Sequence, residues 1–183
     1  NAFWHYLSIG VKENRPPRLV PEDRLHLDWF TFPRRSQFRK HRPGHPYAVV
    51  AHVYHREIWP DLRRHLDSVR GFCDFLIPVV SSRDSLADHT FLADLRLQSP
   101  TATVFLVPNH GRDILSFVML ANFGVLDRYK AVCKVHTKRS PHLPDGEEWR
   151  RHLVESILPS AARTRDLLFR FISDPRAGIV VGD

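Results

Sequence analysis

No apolar stretch in this chain approaches the roughly 18 residues that a membrane-crossing helix needs; the longest, Phe75–Val80 and Ala177–Val181, fall far short. Cysteine occurs only as Cys73 and Cys133, both inside apolar stretches where a free thiol behaves as a small hydrophobe, and a reducing compartment fits that usage. Asn1–Gly10 has neither the basic nor the apolar region of a secretory signal. Walker A, Gly-x-Gly-x-x-Gly, Gly-x-Ser-x-Gly and His-Glu-x-x-His are all missing. Their absence leaves P-loop chemistry, a standard dinucleotide site, a serine-hydrolase elbow and a zincin unsupported. Cys-x-x-Cys is missing too, and His52-x-x-His55 is the nearest thing to a metal pair. Residues three apart on a strand face opposite ways, so ordinary strand-end polarity explains that pair better than coordination.

What the chain does carry is positive charge, unevenly placed. The formal net charge is +7, and residues 1–46 hold nine Lys/Arg against four Asp/Glu, a balance of +5 that leaves +2 for residues 47–183. A basic leader suits any acidic surface. A nucleic-acid partner is disfavoured, because the remainder is nearly charge-balanced and has no basic helix face. The same leader contains six of the 14 prolines, which forbid a long helix or a central strand there. Residues 1–46 therefore read as a helical turn followed by a Pro-rich basic arm, whose Trp29, Phe30, Phe32 and Phe38 call for something to pack on.

From Tyr47 onward, β-branched apolar runs alternate with segments of helical period. The expected strands are Tyr47–Tyr54, Phe72–Val80, Thr103–Val107, Lys130–His136 and Gly178–Val181. The expected helices are Glu57–Val69, Asp84–Leu97, Asp113–Phe123, Glu147–Leu158 and Ala161–Ile172. Strands with little polar alternation signal a parallel sheet covered on both faces, so residues 47–183 form an α/β domain. The chain stops two residues beyond its last expected strand and so reads as a piece of a longer polypeptide. Trp59, Trp149 and Phe169 fall at core spacings, and His65, His89 and His152 at solvent-facing ones.

Ligands of such sheets sit outside the carboxyl ends of the strands. The most informative strand end is Lys134-Val135-His136-Thr137-Lys138-Arg139-Ser140-Pro141-His142. Strand alternation puts Lys134, His136 and Lys138 on one side, and three potential cations so close need an anion between them. Lys134 lies in an apolar strand, where a lysine needs a partner; a solvated basic loop is the plain alternative. After the third strand, Asn109-His110-Gly111-Arg112-Asp113 opens a helix. Gly111 permits positive φ or close backbone approach, and Arg112 offers a bidentate donor for phosphate. Equally, Asn109 can simply hold the turn and Asp113 can cap the helix. Asp145 with Glu148 has the spacing of a capping box.

Taken in order, Ala48-Val49-Val50-Ala51-His52-Val53-Tyr54 with Trp59-Pro60, Pro108–Ile114, Tyr129–Ser140, Gly146–Arg151 and Asp174-Pro175-Arg176 resemble the rhamnan synthesis protein F family of bacterial polysaccharide and lipopolysaccharide assembly. Lys134-Val135-His136-Thr137-Lys138 is the specific part. The leader, from His5 to Pro16, resembles a segment found beside glycosyltransferase modules in large polymer-assembling proteins. The resemblance implies a GT-A-like, Rossmann-like core and a rhamnosyltransferase-like glycosyltransferase. Its implied partners are a nucleotide-sugar donor, a glycan or lipid-linked glycan acceptor and other glycosyltransferase modules of the same chain. Its implied location is cytoplasmic, peripheral to the inner face of the plasma membrane. Many GT-A enzymes hold a divalent ion with Asp-x-Asp, and this sequence has none. The expectation is thus a site without metal or other cofactor, in which Lys134, His136, Lys138 and Arg112, with Asn109, Gly111 and His52 nearby, hold the nucleotide diphosphate. Asp113 and His142 are the candidates for the catalytic base. A non-catalytic nucleotide- or glycan-binding module is the alternative.

Overall fold

The computed structural model describes residues 43–82, 84–139 and 145–181. The leader through residue 42 and the candidate base His142 lie outside the described residues. Four strands, β1 (Tyr47–His52), β2 (Cys73–Val80), β3 (Thr103–Val107) and β4 (Ala131–His136), form one sheet in the order β3-β2-β1-β4. Every pairing is parallel. Five helices accompany them: α1 (Trp59–Val69), α2 (Ser85–Gln98), α3 (Arg112–Asn122), α4 (Gly146–Ile157) and α5 (Ala161–Ser173). This is the α/β, Rossmann-like architecture expected of the sequence.

The pleat divides the core in two. Val49, Ala51, Phe75, Ile77 and Val79 meet the α1 and α2 residues Leu62, Leu66, Leu92 and Leu95 on one face. Ala48, Val50, Leu76 and Phe105 meet Leu120 of α3 on the other. The change of face follows from the strand order: crossovers to parallel strands are right-handed, so when the chain reverses direction after β3 the connecting helix must lie on the opposite side. Both layers need apolar residues at every strand position, which is why the strands read as unbroken apolar runs.

The remaining elements form for local reasons. Asp84 caps α2 by accepting from the amides of Leu86 and Ala87, at 3.0 and 3.1 Å. Pro60 opens α1, where its missing amide costs nothing. Several expectations fail. Gly178–Val181 is not a strand, and its Ile179 and Val181 are 83% and 74% exposed. Phe169 faces solvent rather than the core, whereas Trp59 is buried as expected. Asp145 stands at the start of α4 without accepting a side-chain cap bond, so the capping box does not form. Among the described residues no helix is long and apolar enough to cross a membrane.

Ile77 is fully buried in the larger core layer and Leu97 is 81% exposed. Urea unfolding should therefore show Ile77→Ala destabilising by about 2–5 kcal/mol, while Leu97→Ala changes stability by less than about 0.5 kcal/mol.

Candidate functional site

The order β3-β2-β1-β4 places the reversal between β1 and β4, and in open parallel sheets the crevice at that switch point is where ligands bind. His52 and His136, the last residues of the two strands, are register partners there. Alternation turns both, together with Lys134, toward α3. The first turns of α3 answer with Asp113 and Ser116.

Lys134 Nζ is paired with Asp113 Oδ2, and His136 Nδ1 lies 3.6 Å from that same oxygen. His52 Nδ1 lies 2.9 Å from Ser116 Oγ, and both side chains are buried. The anion that Lys134 requires is thus a residue of the chain itself. Asp113 consequently does not serve as the helix cap: α3 begins one residue earlier, and Gly111 occupies the cap position with φ of 64°. Arg112 follows with φ of 52°, a left-handed conformation that non-glycine residues take only where neighbouring structure holds them. A methyl group on Gly111 would come within 2.5 Å of Leu115 Cβ, so glycine is required on both steric and torsional grounds.

Charge and burial set the protonation states. Burial pushes the Asp113 carboxyl up, but the Lys134 hydrogen bond and the charges of His136 and Lys134 outweigh it and hold the group below the usual range. His136 is lowered, chiefly by burial and further by Lys134 and Lys138, against the pull of Asp113. His52 is lowered to about 4 by burial, with Asp113 opposing and His136 and Lys134 assisting. At neutral pH both imidazoles are therefore uncharged, and the Lys134 and Asp113 charges cancel.

Lys138 departs from the expected three-cation convergence. Its ammonium sits 4.0 Å from the ring centroid of Trp149, a half-exposed residue that the sequence reading placed in the core. Asn109 and Gly111 on the loop after β3 and Arg112 at the first position of α3 are exposed, and Arg112 has no ion-pair partner among the described residues. Among the described residues no group of three or more His, Cys, Asp or Glu could hold a metal ion. Asp113, whose carboxylate is taken by Lys134, does not fit the part of an Asp-x-Asp ligand.

Two members of the site escaped the sequence reading. Ser116 is the polar interruption of Ile114–Leu120, one helical turn beyond Asp113 and on the same face, which is a signal that could have found it. Thr137 donates its backbone N–H to the His52 carbonyl, and its Oγ1 accepts from the amides of Tyr54 and His55, each at 2.9 Å. It clips the turn after β1 to the turn after β4 and so fixes the mouth of the crevice. At the end of β2, by contrast, Asp88 accepts from Ser81 Oγ, the Ser82 amide and hydroxyl, and Arg56. That strand end is consumed by structure.

Comparison with known proteins bears on the whole of the described region. The model of the family described as rhamnan synthesis protein F matches residues 30–183. Two proteins of Xanthomonas campestris pv. campestris, from different strains and both named uncharacterized protein WxcX, are 38% and 37% identical to the chain over 166 residues. Those alignments cover 88% of this chain and 23% of each relative, so the chain spans about a quarter of their length. No solved structure matches it.

The buried His52 gives the fold a pH dependence of definite sign. Between pH 6.5 and about 4 the unfolded chain takes up a proton that folded His52 refuses, so its contribution is complete above pH 6.5 and lost as pH falls. The loss amounts to at most about 3 kcal/mol. Urea midpoints measured across that window should fall with pH, and they should fall less steeply in His52→Asn.

Proposed function

The chain belongs to the rhamnan synthesis protein F family, and from that premise we propose that it is a glycosyltransferase module of bacterial cell-surface polysaccharide or lipopolysaccharide assembly. It takes a nucleoside-diphosphate sugar as donor and a glycan or lipid-linked glycan as acceptor, working beside other modules of a longer polypeptide at the cytoplasmic face of the membrane. The observation that carries the reading is the side-chain cluster at the β1/β4 reversal, where Lys134 and His136 of the family-like stretch meet Asp113 of α3 and His52 meets Ser116.

The division of labour differs from a set of three equivalent cations. Lys134 is committed to Asp113, so the positive charge for the donor diphosphate comes from Arg112 beside the crevice and from Lys138 at its rim. Arg112 is held in its left-handed conformation at the start of α3, where backbone amides also favour anions. Trp149, whose ring lies beneath the Lys138 ammonium, offers an apolar surface beside that charge. Charge developing on the departing diphosphate is then met by fixed cations without a divalent ion. A non-catalytic nucleotide- or glycan-binding module is favoured by one observation, the internal neutralisation of Lys134 by Asp113.

Calorimetry with nucleoside diphosphates checks the donor site. Binding should persist in EDTA and weaken about 5- to 30-fold in Arg112→Gln, as expected for loss of a charge-assisted contact of ~1–2 kcal/mol. Binding abolished by EDTA would remove the metal-free reading. Release of nucleoside diphosphate from the sugar donor separates the enzyme from the non-catalytic module.

Lys134→Met should keep stem volume while exposing Asp113 to an unpaired, partly buried state, at a cost of about 1–3 kcal/mol. The double variant Lys134→Met with Asp113→Leu should recover part of that loss in urea unfolding.

A further inference from the structure

The donor site leaves the acceptor's proton without a destination, and the crevice supplies one. We propose that His136 is the general base that deprotonates the acceptor hydroxyl in a single displacement that inverts the anomeric carbon, with Asp113 and Lys134 as its positioning residues; this rests on the glycosyltransferase reading above.

The geometry is that of an oriented imidazole. His136 ends β4 with Nδ1 3.6 Å from Asp113 Oδ2, and its side chain is 37% exposed, so the ring lies beside the carboxylate while part of it reaches solvent. An ionised carboxylate facing Nδ1 selects the tautomer with the proton on that nitrogen, which leaves the lone pair on Nε2. The groups that bear on the ring are Asp113 from α3, Lys134 on its own strand, Lys138 just beyond it and His52 from β1. Lys134 cancels the Asp113 charge at the same oxygen, and Lys138 adds a further cation, so the ring is held in its neutral form, the one whose lone pair can accept a proton.

The competitors are less suited. Asp113 has its carboxylate engaged by Lys134, which leaves it badly placed to take a proton from an acceptor. His52 is 3% exposed with its Nδ1 on Ser116. In the step itself, the acceptor O–H proton passes to Nε2 and the acceptor oxygen bonds to the anomeric carbon. The bond from that carbon to the diphosphate oxygen breaks, and its electron pair leaves with the nucleoside diphosphate. The imidazolium so formed lies against Asp113, which stabilises it.

The test uses the intact protein and a panel of nucleoside-diphosphate sugars, dTDP-rhamnose among them, with an acceptor glycan. His136→Gln should lower kcat about 10²- to 10⁴-fold, with the affinity for nucleoside diphosphate changed less than about threefold, and it should abolish the acidic limb of the pH–rate profile. Asp113→Asn should lower kcat less and shift that limb. If Gln does not fold, His136→Asn replaces it. Independently, imidazole NMR of the unsubstituted protein should show a neutral His136 protonated at Nδ1 at pH 7, with its titration moving to higher pH in Lys134→Met. Turnover undiminished in His136→Gln, product of retained configuration, or an imidazole protonated at Nε2 overturns the assignment. Wild-type protein that binds no nucleoside diphosphate overturns the glycosyltransferase reading and this assignment with it, whereas normal binding with undiminished His136→Gln turnover overturns this assignment alone.

Discussion

The ion pair between Lys134 and Asp113 is the constraint around which the crevice is arranged. A lysine placed between Cys133 and Val135 in the edge strand β4, with its side chain turned under α3, cannot be left without an anion, since an unpaired ammonium in such surroundings is far costlier than a paired one. The partner comes from the first turn of α3, so the pair also sets where that helix begins and how it lies over β1 and β4. Gly111 and Arg112 take left-handed conformations immediately before it. The backbone turns sharply there because Asp113 must point inward while Arg112 stays in water.

The two open strand ends of the sheet have been put to different uses by the same kind of chemistry. At β2, Asp88 collects hydrogen bonds from Ser81, Ser82 and Arg56, and they overcome the effect of burial to hold its carboxyl at about 2. Among the described residues the carboxylate of Asp88 is fully engaged, and that end is taken up by structure. At β1 and β4, Thr137 satisfies the backbone of the two turns, yet His136 keeps part of its ring exposed and Arg112 keeps its guanidinium in solvent. Structural satisfaction beneath and unspent donors above distinguish a site from a joint.

The buried parallel strands were legible because a strand covered on both faces leaves no room for polar alternation, and β1 to β4 all read that way. Gly178–Val181 has the same texture and is no strand, because a short apolar run says nothing about which neighbour it meets. The need of Lys134 for an anion was legible too, from its apolar flanks alone. Its identity was not: Asp113 lies 21 residues upstream on another element, and only the tertiary crossing of α3 brings the two together. Lys138 was misplaced for a related reason. Strand alternation was extended past His136, where β4 ends, and beyond that point the chain turns the side chain toward Trp149.

A crevice whose inner charges cancel suits transfer better than one lined by bare cations. Three unpaired cations would also grip the product diphosphate, and the part of that binding common to ground and transition states lowers KM without raising kcat. In the proposed reaction, with Lys134 matched to Asp113, Arg112 and Lys138 are the cations left to meet the donor's charge. On the same proposal the inner pair sets the orientation and neutrality of His136, a property that matters only when a proton moves. The interaction that holds α3 to the sheet and the one that poises the imidazole are then the same, so the stability of the fold at this point and the chemistry of the site cannot be varied separately.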